Sequence, residues 1–293
     1  MKQVAHVLRM LEPFLDAKKA QLLAGRLHQM SQKVSVDKEN CAQLAWVFQG
    51  LSRRMDPDKT HDLWAKVVEL FIEGYNYLIS VSGVKGEDEW ALLFAQMPPE
   101  TAEKIVAELL VKLEGTPYMA WTYSRAIALL SARYDAAMAA RLATEVLALL
   151  QKSKVGALAD FAKCLVTTVE RLPTAEAQAK RQGAFEIIAK RLEETATPEA
   201  AYWGGHGLVL LLQAMPEAIR EPYRKRTIEI ILELVRATLP NKEAHTSIRS
   251  LERLLPIHDS PSVKRVADFL LEILQNPKLA QLASTATTEL SKL

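Results

Sequence analysis

Arg171-Leu172-Pro173-Thr174-Ala175-Glu176-Ala177 reads as the end of one helix, a break, and the start of another. Proline stops the helix ahead of it, because the residue before proline avoids the α region. At the first helical position the ring costs nothing, since that N–H has no intrahelical partner. The same wording recurs at Leu11-Glu12-Pro13, Met55-Asp56-Pro57, Met97-Pro98-Pro99, Tyr134-Asp135, Met215-Pro216-Glu217 and Leu255-Pro256-Ile257. The residues just before the breaks, Met55, Met97, Tyr134, Leu172, Met215 and Leu255, lie 42, 37, 38, 43 and 40 residues apart, and a first turn near Leu15 lies 40 before Met55. A period near forty means stacked helix pairs rather than an ordinary bundle. Pro57, Pro98, Pro173, Pro216 and Pro256 therefore each mark the break between a first helix (A) and a second helix (B). Asp16, Asp56, Asp135 and Thr174 suit the N-cap or first turn there.

Between the breaks the pattern is helical. Ile105, Leu109, Leu110 and Leu113, and likewise Leu142, Val146, Leu149 and Leu150, recur at three- and four-residue steps, giving one buried stripe per helix. One hairpin cannot bury that stripe alone, and a stacked neighbour completes the core. Composition agrees. Hydrophobic residues are 49% of 293, mostly Leu and Ala, with only 11 glycines, which excludes a turn-rich all-β fold. The expected map is a partial A helix at 2–12 with its B helix at 14–31. The pairs 39–54/58–80, 88–97/99–114, 118–133/136–151, 156–171/174–195, 199–214/217–238 and 243–254/261–275 follow, with a last helix at 277–291. The irregular stretch from Ser80 to Glu87 is read as an inter-repeat loop.

This unit resembles the HEAT-type repeat. That family pairs two helices over about forty residues, with Pro near the end of the A helix, Asp at the turn, and Arg six residues on. Asp135 with Arg141 and Asp259 with Arg265 have that spacing. Thr174 with Lys180 and Ala218 with Arg224 keep the basic member only, and Lys18, Lys19, Lys59 and Lys104 are looser matches. The Ala/Leu-rich wording is also similar to the degenerate helical repeats of large bacterial multidomain signalling proteins. The resemblance covers nearly the whole chain. It implies an all-α fold, an α-solenoid of about seven two-helix repeats in a right-handed superhelix, forming one domain over 1–293. Tetratricopeptide-like pairing is disfavoured, because its period is about 34 residues.

Charge and chemistry narrow the function. The net charge is +2, from 37 basic and 35 acidic residues, which argues against a dedicated nucleic-acid binder. No long apolar run or leader-like segment is present, so a cytoplasmic protein without a membrane span is expected. Cys41 and Cys164 are read as small buried hydrophobes. No two of the six histidines have the i, i+4 spacing of a helical metal site, so no metal and no cofactor is expected. Gly204-Gly205-His206-Gly207 falls inside an A helix, where each glycine costs about 1 kcal/mol relative to Ala. Close helix–helix contact is the plain explanation, and a backbone groove for a ligand the sharper one.

The leading functional expectation is a non-catalytic scaffold or sensor region that presents a curved helical surface to a protein or peptide. The candidate binding residues are the aromatics Trp121, Tyr123, Tyr202 and Trp203, which suit hot spots. Arg220, Arg224, Lys225 and Arg226 form the densest basic cluster, beside Glu217 and Glu221. Basic residues early in B helices are expected in a ladder with turn acids and carbonyls, the other reading being a basic stripe. The alternative function is a nucleic-acid-binding HEAT-like solenoid resembling DNA glycosylases, for which Trp121, Arg133, Asp135, Trp203 and Arg224 supply the residue types. The stripe Val4, Val7, Leu8 and Leu11 has nothing before it. A segment of a longer protein, or self-association through uncapped ends, is therefore expected.

Overall fold

The computed structural model describes residues 14–33, 38–55, 60–81, 87–115, 120–195, 197–239, 248 and 260–291. The protein is all-α and 87% helical. Among the described residues there are 13 α-helices and no strand. The chain divides into two compact units, Met1–Leu113 with Trp121–Asp135, and Glu114–Ala120 with Ala136–Leu293.

Among the described residues the breaks lie where the sequence places them, and A helices close in one way. Met55, Met97, Tyr134, Leu172 and Met215 each donate their N–H to the carbonyl three residues back, at 3.0–3.3 Å. Met97, Tyr134, Leu172 and Met215 are also buried, so the tightened last turn drives an apolar side chain into the core. The prolines stand just ahead of their B helices, as the expected bounds 99–114, 174–195 and 217–238 place them. Pro173 and Pro216 have ψ of 143° and 140°, outside the helix, and the B helices begin at Thr174 and Glu217. Pro98 likewise precedes a helix that starts at Pro99. The cap carbonyl accepts the first helical bond, as in Ala177 N–H to Pro173 at 2.9 Å and Ala102 N–H to Pro98 at 3.0 Å. A cap needs no N–H either, so proline fits there equally well.

The first unit contains α1 (Ala17–Lys33), α2 (Lys38–Ser52), α3 (His61–Val81), α4 (Glu87–Phe94) and most of α5 (Pro99–Gly115) and α6 (Ala120–Ser131). Asp16 caps α1 by accepting the Lys19 N–H at 2.8 Å. That bond, first, and the Lys19 side chain hold the Asp16 carboxyl below its ordinary range. α2 packs on α1, α3 and α4. The core is aromatic: the Phe71 ring meets Trp90 at 5.2 Å and Phe94 at 5.5 Å, both edge-on. Polar contacts join residues 36 to 47 apart in sequence. His61 of α3 faces Glu108 of α5 at 3.2 Å, 47 residues on. Arg133 Nε donates to the Met97 carbonyl at 3.3 Å, 36 residues back. Gln96 accepts from both Gln49 and Arg53.

The second unit contains α7 (Ala136–Lys152), α8 (Leu158–Val169), α9 (Thr174–Glu194), α10 (Gly205–Ala214), α11 (Glu217–Thr238), α12 (Ser260–Gln275) and α13 (Ala280–Leu290). The B helices pack in series, α9 on α7, α11 on α9 and α12 on α11, while the A helices α8 and α10 pack on each other. Polar contacts again link consecutive B helices: Lys180 to Thr144 at 2.8 Å, 36 residues apart, and Arg265 to Glu229 at 2.6 Å, also 36 apart. Both basic residues are ones picked out by the six-residue spacing. Arg191 donates to the Leu150 carbonyl at 2.7 Å and to the Ser153 carbonyl, covering the C-terminal end of α7.

A five-residue π-turn, Ala200–Gly204, leads into α10. Its glycines are explained by contact. A Cβ on Gly204 would lie 2.2 Å from Leu192 Cδ2. On Gly207 it would lie 3.3 Å from Ile188 Cδ1 and 3.4 Å from the Ala159 Cα, and on Gly205 3.4 Å from Ile231. The backbone of α10 thus sits tight against α8, α9 and α11, as the plain reading expects.

The expected helix at 243–254, the turns at Leu11-Glu12-Pro13 and Leu255-Pro256-Ile257, the apolar stripe from Val4 to Leu11, residues Asp56, Pro57, Lys59 and Asp259, and most of the Ser80–Glu87 stretch lie outside the described residues. Among the described residues no helix is long and apolar enough to cross a membrane.

Candidate functional site

The basic cluster occupies the first turns of α11. Arg220, Arg224, Lys225 and Arg226 fall within seven residues, and Pro222 stands inside the same helix. Each cation is neutralised. Arg220 pairs with Glu217 at 2.5 Å and donates to the Met215 carbonyl at 2.6 Å, closing the break before its own helix. Arg224 is nearly buried, with Glu217 at 3.0 Å and Glu221 at 2.7 Å. Lys225 lies 3.5 Å from Glu221. Arg226 reaches across to α9, to Glu186 at 2.7 Å and Glu193 at 2.9 Å. Its bond to Glu186, and then that to Glu193, hold the guanidinium protonated more firmly than usual. Four cations thus face four carboxylates, and two of those carboxylates come from the neighbouring B helix. This is the ladder of acids and turn carbonyls rather than an open basic stripe.

The aromatic candidates divide between the units. Trp121 and Tyr123 belong to the first, on α6, with Trp121 39% exposed and Tyr123 half-buried. Tyr202 and Trp203 belong to the second, on the π-turn, where their rings meet edge-on at 4.4 Å and both are half-buried. Trp64 and Trp90 are core fillers. Sequence reasoning missed Tyr223, whose ring meets Phe185 edge-on at 4.9 Å and ties α11 to α9. Only its i−1 neighbour to Arg224 hinted at a role.

Two depressions are also absent from the sequence reading. One, of about 410 Å³ in the first unit, lies between α1 and the start of α3, with Gly25, Asp62 and Lys66 on its walls. Lys66 there is paired with Glu69 at 3.0 Å. The other, of about 120 Å³ in the second unit, lies between α9 and α11, with Leu192, Ile230 and Leu234 below and Glu193 and Glu233 above.

Nucleophile and ligand candidates are few. Burial pushes the Cys164 thiol far above its ordinary pKa, which keeps it unreactive. The Cys41 side chain lies outside the described residues. Among the described residues no group of three or more His, Cys, Asp or Glu is gathered to hold a metal ion.

No protein-family model matches the sequence, and no curated protein matches it. A solved chain described as "Computational Design of Self-Assembling Cyclic Protein Homooligomers" aligns over 100% of this chain and 98% of its own, at 13% identity and a TM-score of 0.18. A superposition that poor transfers neither fold nor function.

Proposed function

We propose that this chain is a non-catalytic scaffold, an α-solenoid of about seven HEAT-like repeats that presents a curved helical surface to a protein or peptide partner. One observation carries the reading. Helix pairs whose first helices end in the same tightened turn are joined to the next pair through contacts between residues 36 to 47 apart. Such nearest-neighbour stacking is how repeat proteins build extended surfaces. The nucleic-acid reading loses support from the pairing of Arg220, Arg224, Lys225 and Arg226, since neutralised cations release few counterions.

The test is a pull-down from lysate of the source organism, with and without nuclease, read by mass spectrometry. A nuclease-resistant protein partner is expected. Recovery that depends on nucleic acid would overturn the scaffold reading and make glycosylase activity worth assaying.

A further inference from the structure

We infer that the slot between α9 and α11 is an anchor pocket for a single cationic side chain, arginine or lysine, on a basic segment of a partner protein. The inference rests on the scaffold reading and names the chemistry of the partner.

Size excludes a small molecule. Ligand pockets span roughly 300–1,000 Å³, and this slot holds about 120 Å³, the room of one side chain. Its lining is of two kinds. Leu192, Ile230 and Leu234 are buried and make an apolar floor, and Ala237 completes the lining. Glu193 of α9 and Glu233 of α11 stand at the rim. An aliphatic side chain would suit the floor and leave Glu233 unanswered, since Glu193 already holds Arg226. An acidic one would be repelled. Lysine and arginine carry an apolar stem that ends in a cation, which answers both.

The surrounding charges are committed elsewhere, with one exception. Glu229 is held by Arg265 at 2.6 Å, and Arg236 is drawn to Glu272 at 3.4 Å. Lys190 lies 3.9 Å from Glu194. Among the described residues Glu233 has no ion-pair partner. The surface also shows that it can seat a guanidinium. Arg226 lies between Glu186 and Glu193 with three N–H···O contacts of 2.7, 2.9 and 3.3 Å. An incoming arginine between Glu193 and Glu233 would extend that row by one place, from a second chain.

The test is fluorescence anisotropy with a short labelled Ser/Ala peptide carrying spaced arginines, and with its citrulline counterpart, which keeps the shape and loses the charge. The arginine peptide is expected to bind about tenfold more tightly than the citrulline peptide. Glu233→Gln should weaken it by a similar factor. Ala237→Phe should do the same by filling the slot while leaving every charge in place. Circular dichroism checks the fold of each variant, and Ala237→Met replaces Ala237→Phe if the larger ring unfolds the protein. Equal binding of the two peptides, no binding of either, or unchanged binding by the filled slot would overturn the inference. The last outcome would mean diffuse surface attraction only. The scaffold reading is judged separately: a protein partner captured equally by wild type and Ala237→Phe sinks the slot and leaves the scaffold standing.

Discussion

The two units fill the space between their helix pairs in opposite ways. In the first, Phe71, Trp90 and Phe94 meet edge-on at 5.2 to 6.0 Å and supply volume with large rings. In the second, Gly204, Gly205 and Gly207 remove volume, so that α10 closes on Leu192, Ile188, Ile231 and the backbone of α8. The sheath of charge differs too. The second unit laces its B helices with ion pairs, Arg226 to Glu186 and Arg265 to Glu229, while the first links α3 to α5 through His61 and Glu108 and adds an amide contact between Gln49 and Gln96. Helix packing is thus compatible with either large rings or bare backbone at the interface, provided each interface is filled to normal density. The two solutions should fail differently, by cavity on one side and by overpacking on the other.

The largest expected effect is on the aromatic side. Phe71→Ala should cost about 3–5 kcal/mol, since the rings around it cannot collapse into the space. Denaturant titration followed by tryptophan emission measures it, and a loss under about 1 kcal/mol would show that the aromatic core is loosely packed. Next comes a matched pair of glycines. Gly204→Ala should destabilise by about 1–3 kcal/mol, because its Cβ meets three carbons of Leu192. Gly183→Ala, in α9 with nothing within 4 Å, should instead stabilise by about 1 kcal/mol. If both substitutions shift the melting temperature the same way, the close-packing account is wrong. A smaller effect follows at the ladder. Arg226→Met should lose about 1 kcal/mol at low ionic strength and less in high salt, because the pairs are partly exposed. A loss that does not respond to salt would mean that the stem, not the charge, does the holding.

The smallest expected effect is local and depends on pH. The Asp16 carboxyl is depressed in the folded chain relative to its ordinary value of 3.8. Its cap therefore contributes above that value and is lost as the pH falls through the lower, folded one. The protection of the Lys19 amide against hydrogen exchange, taken relative to its intrinsic rate at each pH, should fall over that acid range in wild type. Asp16→Asn, which caps without titrating, should remove the pH step.

Much of the helix map was legible because its causes are local. A break needs only proline or a capping residue beside a buried apolar one, and Met97, Leu172 and Met215 carry that in their immediate neighbours. Asp16 was legible as a cap for the same reason. The π-turn at Ala200–Gly204 was not, since only the glycine cluster beside it hinted at a departure from ordinary helix. The site was legible in its residue types and not in its pairing. Arg226 gives no sign in sequence that its partners lie 33 and 40 residues back. The prolines at the breaks were legible as well, since a residue without an N–H suits the cap just ahead of each B helix, and the ψ of Pro173 and Pro216 puts them there.

By itself, then, the sequence determined the all-α class, the breaks, the period near forty and the buried stripe of each helix. Those follow from backbone sterics and hydrophobic spacing, which act over a few residues. The tertiary structure alone decided which carboxylate meets which guanidinium, how near α10 approaches its neighbours, and that Glu233 stands without an ion-pair partner among the described residues above an apolar slot. Those depend on the register of one helix against the next, where a shift of one residue turns a side chain by about 100°.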